Sequence, residues 1–176
     1  MSDETLRVGV FVCECGHNIA ATVDTEKVVE FARELENVVA VVPNRYTCAD
    51  PGQNEMKRAI AEHRLNRVVV ASCSPKIHEP PFRTCVAEAG LNPYLMEMAN
   101  IREHCSWVHM KDPEEATKKA MDLVASAVSR ASRLVAQDEK VYPVTDAVLV
   151  VGGGVAGSQS ARELADGGHQ VFLVEM

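Results

Sequence analysis

The sequence RVVVASC, residues 67–73, decides the fold class. Its three consecutive valines favour an extended strand, because β-branched side chains pack well on a pleated surface. A strand without polar alternation is typical of a parallel sheet that helices cover on both faces. We therefore predict a buried strand that ends beside Cys73.

Segments of strand length and segments with helical periodicity alternate on both sides of this strand. Further strands are predicted at residues 8–12, 38–42 and 93–100, with a helix after each. This alternation predicts an α/β fold, a Rossmann-like parallel sheet with flanking helices and right-handed crossovers. The first domain is predicted to span residues 1–137.

Capping residues, prolines and glycines set the predicted helix boundaries. The predicted helices run from about Thr25, from Pro51 behind an Asp50 N-cap, from Pro80-Pro81 through Ala89, and from Asp112 to about Val135. Gly90 is expected to end the third of them in a left-handed conformation. Four further side chains are predicted to pack inside the domain: Met96, Met98, Trp107 and Met110.

Five of the six cysteines follow predicted strands. They are Cys13 and Cys15 after the first strand, Cys48 after the second, Cys73 after the third and Cys105 after the fourth. Because the carboxyl ends of parallel strands share one edge of the sheet, these thiols are expected to meet there. Cys85 instead lies inside a predicted helix, at helical spacing from Phe82 and Ala89, and is predicted to be an ordinary buried thiol.

The cysteine spacing leaves three kinds of site open. Thiolates without supporting carboxylates suit an iron–sulfur cluster or zinc. Zinc sites usually contain paired Cys-x-x-Cys segments, which this chain lacks, so dispersed ligands favour a cluster over a zinc-binding structural or docking module. A third alternative is a thiol redox protein that uses Cys13 and Cys15, although Cys-x-Cys differs from the thioredoxin-type Cys-x-x-Cys. If none of these sites is present, the cysteines are unrelated buried thiols.

A second, partial domain is predicted at residues 146–176, after a polar linker at 138–145. A strand, a glycine-rich turn, a helix and another strand follow one another there. The turn has the pattern GxGxxG, and an acid closes the second strand: Gly152, Gly154, Gly157 and Glu175. In a dinucleotide-binding βαβ unit these glycines allow a tight turn, a close pyrophosphate and close helix packing, while the acid binds the ribose.

Composition and charge exclude several classes of function. The chain has 18 basic and 25 acidic residues, with a formal net charge of −7 and no basic cluster, which argues against nucleic acid as its partner. No segment is long and apolar enough to span a bilayer, and the start MSDETLR does not resemble a signal peptide. The sequence therefore predicts a cytoplasmic protein, where cysteines are seldom structural disulfides.

Five segments carry a family resemblance. They are, in order, VCECGHNIA, YTCADPGQ, VVVASCSPKIHEPPFR, AGLNPYLMEMANIREHCSWVH and VLVVGGGVAGSQSARELADGGHQVFLVE. Together, over residues 7–176, they resemble the amino-terminal part of the A-type subunit of heterodisulfide reductase. The resemblance implies a domain that holds a [4Fe-4S] cluster and then a thioredoxin-reductase-like FAD domain. Only the first βαβ unit of that FAD domain, which binds the ADP half of the cofactor, is present here.

The resemblance also implies an activity and partners. The family consists of oxidoreductase subunits that pass electrons between FAD and iron–sulfur clusters, in flavin-based bifurcation coupled to reduction of a mixed disulfide of two thiol coenzymes. The implied partners are other heterodisulfide reductase-type subunits, a hydrogenase or formate dehydrogenase module, and ferredoxin. Complete activity is expected to require the rest of the FAD domain, on a longer chain or on a second one.

Within this chain we expect four cluster ligands and one substitute. The expected ligands are Cys13, Cys48, Cys73 and Cys105, with Cys15 as the substitute for one of them. Arg102 and Lys76 are candidates to offset the negative charge of a four-thiolate cluster. The nearby histidines are expected not to be ligands: His17, His78, His104 and His109.

Overall fold

The structure, a computed structural model, describes residues 5–176. These residues form two compact units, the first ending at Gln137 and the second comprising Asp138–Met176. Across the described residues, no helix combines the length and the apolar character needed to cross a membrane.

The first unit is built on a parallel sheet of four strands. These are β1 (Val8–Cys13), β2 (Val38–Asn44), β3 (Arg67–Ser72) and β4 (Met96–Asn100). Their order is β2-β1-β3-β4, and every neighbouring pair is parallel. The predicted α/β class is therefore confirmed. Because the chain runs from β1 to one side and then crosses to the other, β1 and β3 flank the topological switch point, where ligands bind in such sheets.

Helices cover both faces of the sheet. They are α1 (Thr25–Arg33), α2 (Asp50–Glu62), α3 (Pro75–Glu88) and α4 (Pro113–Ala131). Apolar side chains of α1 and α4 share one core layer with the sheet, and those of α2 and α3 share the other. In β3, Val69 belongs to the first layer and Val70 to the second, and both are fully buried. The strand is thus buried on both faces, as predicted.

Two predicted helix starts need correction. The third helix begins at Pro75 and not at Pro80-Pro81, because the hydroxyl of Ser74 caps it by accepting the Lys76 N–H at 3.3 Å. Both later prolines lie inside this helix. Asp50 is the first residue of α2 and not its N-cap, a position taken by Ala49.

Other boundaries also differ from the prediction. The last helix ends at Ala131, four residues before its predicted end at Val135. Val135 is 70% exposed and does not pack in the core. The second strand continues to Asn44, two residues beyond its predicted end. Gly90 has a φ of +83°, so its predicted left-handed conformation is confirmed.

The second unit is a single βαβ element. It contains β5 (Ala147–Val151), α5 (Val155–Asp166) and β6 (Gln170–Val174). The two strands are parallel, with Leu149 opposite Phe172. A parallel pair joined by a helix is the arrangement that the glycine-rich segment predicted.

Candidate functional site

Three neighbouring strands deliver four cysteines to the carboxyl edge of the first sheet. Cys13 is the last residue of β1 and Cys15 follows it, Cys48 lies between β2 and α2, and Cys73 follows β3. Because β1 lies between β2 and β3, these three strand ends are adjacent. Besides burial, repulsion from the negative charges of Cys13 and Cys48 raises the pKa of the Cys73 thiol, and repulsion from Cys15 raises that of the Cys13 thiol, so each sulfur lies within range of another's charge. The structure thus places these four cysteines along one edge of the sheet, around the switch point.

Burial dominates the protonation of two of these thiols. Burial raises the pKa of the Cys13 thiol, although hydrogen bonds from the backbone and hydroxyl of Thr47 and from the Cys15 backbone act in the opposite direction. Burial also raises the pKa of the Cys73 thiol, against the positive charge of Arg102. Both thiols are therefore protonated at neutral pH, and a metal that binds them must displace protons.

The other two cysteines are more accessible. Cys15 is half-buried and precedes a 3₁₀ turn at Gly16–Asn18, where the side-chain amide of Asn18 lies 3.9 Å from its sulfur. Cys48 is exposed, and the Gln53 side chain donates to its carbonyl at 3.0 Å. The four thiols thus range from buried to exposed across one edge.

The loop that carries Cys48, residues 45–49, packs directly against the first turn of α2. A Cβ atom at Gly52 would lie 2.5 Å from the carbonyl oxygen of Tyr46 and 2.7 Å from the Cα of Thr47. Only glycine allows this approach without moving the backbone. In contrast, a Cβ atom at Gly16 would meet no atom within 4 Å.

Cys105 differs from these four cysteines. It lies in a π-helical turn, Arg102–Ser106, and is fully buried. Its thiol donates to the carbonyl of Ala116, in the first turn of α4, at 2.8 Å. Burial raises the pKa of this thiol, and the groups that oppose the shift, Lys119 and the Ala120 backbone, also belong to α4. Its neighbours are therefore those of a packed thiol beneath α4, and the expectation that it joins the other cysteines gains no support from these contacts.

Cys85 is fully buried between α2 and α3, where it lies 3.8 Å from the sulfur of Met56. Burial raises the pKa of its thiol. Its predicted burial in the core is confirmed.

Two side chains near the site are exposed, contrary to the prediction that they pack in the core. Trp107 is 47% exposed because its ring lies against the Arg102 guanidinium, whose central carbon is 4.6 Å from the ring centroid. Met110 is 68% exposed in the loop before α4. Met96 is buried as predicted, and Met98 is partly buried.

The chemistry of the donors fits a thiolate-bound metal group. Within residues 5–176, no three His, Cys, Asp or Glu side chains already converge as a metal cage. Beside Cys13, however, the buried hydroxyl of Thr47 lies close enough to lower the pKa of the thiol and has no other hydrogen-bond partner among the described residues. Hydroxyl donors beside sulfur are the kind of neighbour that stabilises a metal-bound thiolate.

Some residues of this site were not predicted from the sequence. Thr47 is fully buried against Cys13, and Asn100 is buried at the end of β4. The side-chain oxygen of Asn100 accepts the backbone N–H groups of Arg102 at 3.2 Å and Glu103 at 2.9 Å, which shapes the π-helical turn. The available signal was an asparagine at a strand end, because this residue type favours turns through such bonds.

The glycine-rich turn of the second unit has the geometry that its pattern predicted. Gly152 has a φ of +106°, and a Cβ atom at Gly157 would lie 1.8 Å from the carbonyl oxygen of Gly152. Gly154 immediately precedes α5, and a Cβ atom there would meet nothing within 4 Å. The Glu175 carboxylate accepts the backbone N–H of Gly153. The turn therefore leaves open space at a helix N-terminus, where anions bind.

Comparison with known proteins gives a consistent set of relatives. No family model matches the chain. It is 58% identical over 175 residues to the second A-type iron–sulfur subunit of the CoB–CoM heterodisulfide reductase of Methanopyrus kandleri, covering 99% of this chain and 27% of that protein. It is 51% identical over 175 residues to the A-type subunit of the H₂/formate:CoB–CoM heterodisulfide,ferredoxin reductase of Methanococcus maripaludis, covering 99% of this chain and 26% of that protein. The chain thus spans about a quarter of the length of these relatives.

Proposed function

We propose an electron-transfer function for this chain, which is homologous along nearly its whole length to part of the A-type subunit of heterodisulfide reductase. The resemblance predicted from the motifs is confirmed by these relatives. In our proposal the first unit holds a [4Fe-4S] cluster, the second binds the ADP half of FAD, and both serve an oxidoreductase subunit. The names of the relatives support the iron–sulfur part, since three of them describe an iron–sulfur subunit.

One observation carries this proposal. Four cysteines leave three adjacent strands at the topological switch point, and each thiol is near enough to another for their negative charges to repel. Four thiolates are the usual ligand set of a [4Fe-4S] cluster. A pair of cysteines alone would suit a dithiol, but four thiols at one edge of the sheet suit a cluster better.

We assign the ligands to Cys13, Cys15, Cys48 and Cys73. This replaces Cys105, expected from the sequence as a ligand, by its substitute Cys15. The reason is that the Cys105 thiol donates a hydrogen bond to the Ala116 carbonyl, whereas Cys15 lies close enough to Cys13 to affect the pKa of its thiol.

The residues around these sulfurs have defined roles in the proposal. A bound cluster would exchange single electrons. The backbone N–H groups of Thr47 and Cys15 lie close enough to Cys13 to lower the pKa of its thiol, and such donors stabilise thiolate charge and help set the potential of a cluster. Thr47, in the loop after β2, is fully buried.

The second unit is proposed to bind the ADP half of FAD. Its pyrophosphate would lie at the open turn around Gly154, at the N-terminus of α5, and Glu175 would bind the ribose. Leu149 and Phe172 are 62% and 53% exposed on this sheet, which supports the proposal that further parts of a flavin domain cover it.

The partners and the overall reaction are proposed from the relatives. Their names mention ferredoxin, hydrogen, formate and the CoB–CoM heterodisulfide. We propose that this chain works with other heterodisulfide reductase-type subunits, a hydrogenase or formate dehydrogenase module and ferredoxin. In such a complex it would pass electrons between FAD and iron–sulfur clusters during flavin-based bifurcation.

Cysteine substitutions test the ligand set. The chain purified without oxygen is expected to be brown, with about four irons and four sulfides. Alanine at Cys13, Cys15, Cys48 or Cys73 should remove most of the iron, because each change deletes one thiolate. Cys105→Ala and Cys85→Ala, matched controls that delete buried thiols outside the group, should retain it.

The measurements are iron and sulfide content, together with the paramagnetic signal of the reduced protein. Iron loss in Cys105→Ala combined with full iron in Cys15→Ala would restore Cys105 as a ligand and contradict our assignment. A colourless chain with one zinc would establish the zinc alternative instead. Activity of a metal-free chain that depends on Cys13 and Cys15 would establish the dithiol.

A further inference from the structure

We propose that Arg102 and Glu103 form a fixed charge pair that tunes the cluster, with Arg102 raising its reduction potential and Glu103 lowering it. This inference rests on the proposed cluster site. It concerns two side chains that are not ligands, and it assigns them opposite effects on one measurable quantity.

The backbone places Arg102 beside Cys73. In the register of β3 and β4, Ser72 lies opposite Asn100, and the backbone N–H of Ile101 donates to the Ser72 carbonyl at 2.8 Å. Cys73 and Arg102 therefore leave two neighbouring strands at the same edge. The charge of Arg102 acts on both Cys73 and Cys15.

The guanidinium is held in place from two sides. Its Nε and Nη2 atoms donate to Glu103 Oε1 at 3.1 and 2.7 Å, and the Trp107 ring lies against it. Its side chain is only 20% exposed, so solvent screens its charge less than that of a surface arginine. The contact with Arg102 also explains why Trp107 lies outside the core.

The turn that carries the pair is itself fixed to the cysteine loops. The Ser106 hydroxyl donates to the Asn18 carbonyl, in the loop after Cys15, at 2.5 Å. The Asn100 side chain holds the other end of the turn through its bonds to Arg102 and Glu103. The charge pair is therefore preorganised with respect to the sulfurs.

Glu103 is the opposing charge. Burial disfavours its ionised form, but the hydrogen bond from Arg102 holds the pKa of this carboxyl below its usual range, so it is ionised at neutral pH. Its Oε2 atom is buried, and the backbone N–H groups of Glu103 and Ser74 also lower the pKa of this carboxyl. Its charge acts on Cys73 in the direction opposite to that of Arg102.

The effect on the cluster follows from Coulomb's law. Reduction adds one negative charge, which a nearby cation stabilises and a nearby anion destabilises, most strongly where solvent is excluded. Loss of Arg102 would remove the cation, while the backbone N–H groups of Glu103 and Ser74 would still favour the charged form of the Glu103 carboxyl. Loss of Glu103 would leave the cation unopposed.

The test is a redox titration of the cluster in the full chain, followed by its paramagnetic signal, with iron content measured in parallel. Arg102→Gln should lower the ratio of reduced to oxidised cluster at a fixed potential about tenfold, a shift of about 59 mV for one electron. Glu103→Gln should shift the potential in the positive direction. The control Arg102→Lys keeps the positive charge, so its reduction potential should stay near that of the parent chain. The double variant Arg102→Gln/Glu103→Gln removes both charges, and its potential should also stay near the parent value.

The outcomes separate this inference from the proposed function. An unchanged potential in Arg102→Gln with full iron would overturn it, as would a negative shift in Glu103→Gln. If Arg102→Gln loses its iron, Glu103→Gln decides: a positive shift supports the charge pair, and no shift or a negative one overturns it. A parent chain without iron would instead contradict the proposed cluster itself.

Discussion

Replacing Gly52 by alanine is expected to remove most of the iron from the chain while every cysteine remains in place. The new Cβ would lie 2.5 Å from the Tyr46 carbonyl oxygen, 2.7 Å from the Thr47 Cα and 2.8 Å from Asn44 Oδ1. Two of these atoms are backbone, so the loop itself must move, at a cost of about 1–3 kcal/mol. That loop carries Cys48 and the Thr47 groups that lower the pKa of the Cys13 thiol, so one methyl group would displace both.

Gly16→Ala is the matched control. Gly16 also lies beside a proposed ligand, but its Cβ would meet no atom within 4 Å, so this variant should keep its iron. Iron and sulfide analysis of both variants after anaerobic purification makes the comparison, with urea unfolding to show that each remains folded. If folded Gly52→Ala holds as much iron as the parent chain, iron binding does not depend on the position of the Cys48 loop.

Much of the architecture could be predicted because the strands have a strong pattern. Fully buried strands such as β3 need apolar side chains on both faces, and that requirement is visible in consecutive valines. Parallel strands then place their carboxyl ends on one edge, so the meeting of Cys13, Cys48 and Cys73 followed from element order alone. Gly90 could be assigned because few other residues adopt its conformation.

The direction of individual side chains could not be predicted in the same way. Cys105 follows a strand like the other cysteines, but a π-helical turn directs its thiol to Ala116, and no residue pattern predicts such a turn. The exposure of Trp107 depends on its contact with Arg102, which forms only in the folded turn. The start of α3 was missed because Pro80-Pro81 is a stronger helix-breaking signal than the Ser74-Pro75 cap that begins the helix.

In the second unit, Gly154→Val is expected to abolish flavin retention without unfolding the βαβ element. A Cβ atom at Gly154 meets nothing within 4 Å, and its φ of −66° suits any L-residue, so the chain itself tolerates the change. The added side chain would instead occupy the open space in front of the α5 N-terminus, where the pyrophosphate is proposed to bind. The measurement is the FAD content of a purified protein that contains this chain and the rest of the flavin domain.

Gly157→Ala is the contrasting variant. Its Cβ would lie 1.8 Å from the Gly152 carbonyl oxygen, so α5 would have to move away from the turn. This variant should lose flavin and folded structure together, seen as faster proteolysis between Asp138 and Met176, whereas Gly154→Val should lose flavin alone. Full FAD content in Gly154→Val would mean that the pyrophosphate does not lie against this turn. Loss of flavin with parent-like resistance to protease would place the role of Gly154 in binding, because a folding defect would have exposed the βαβ element to cleavage.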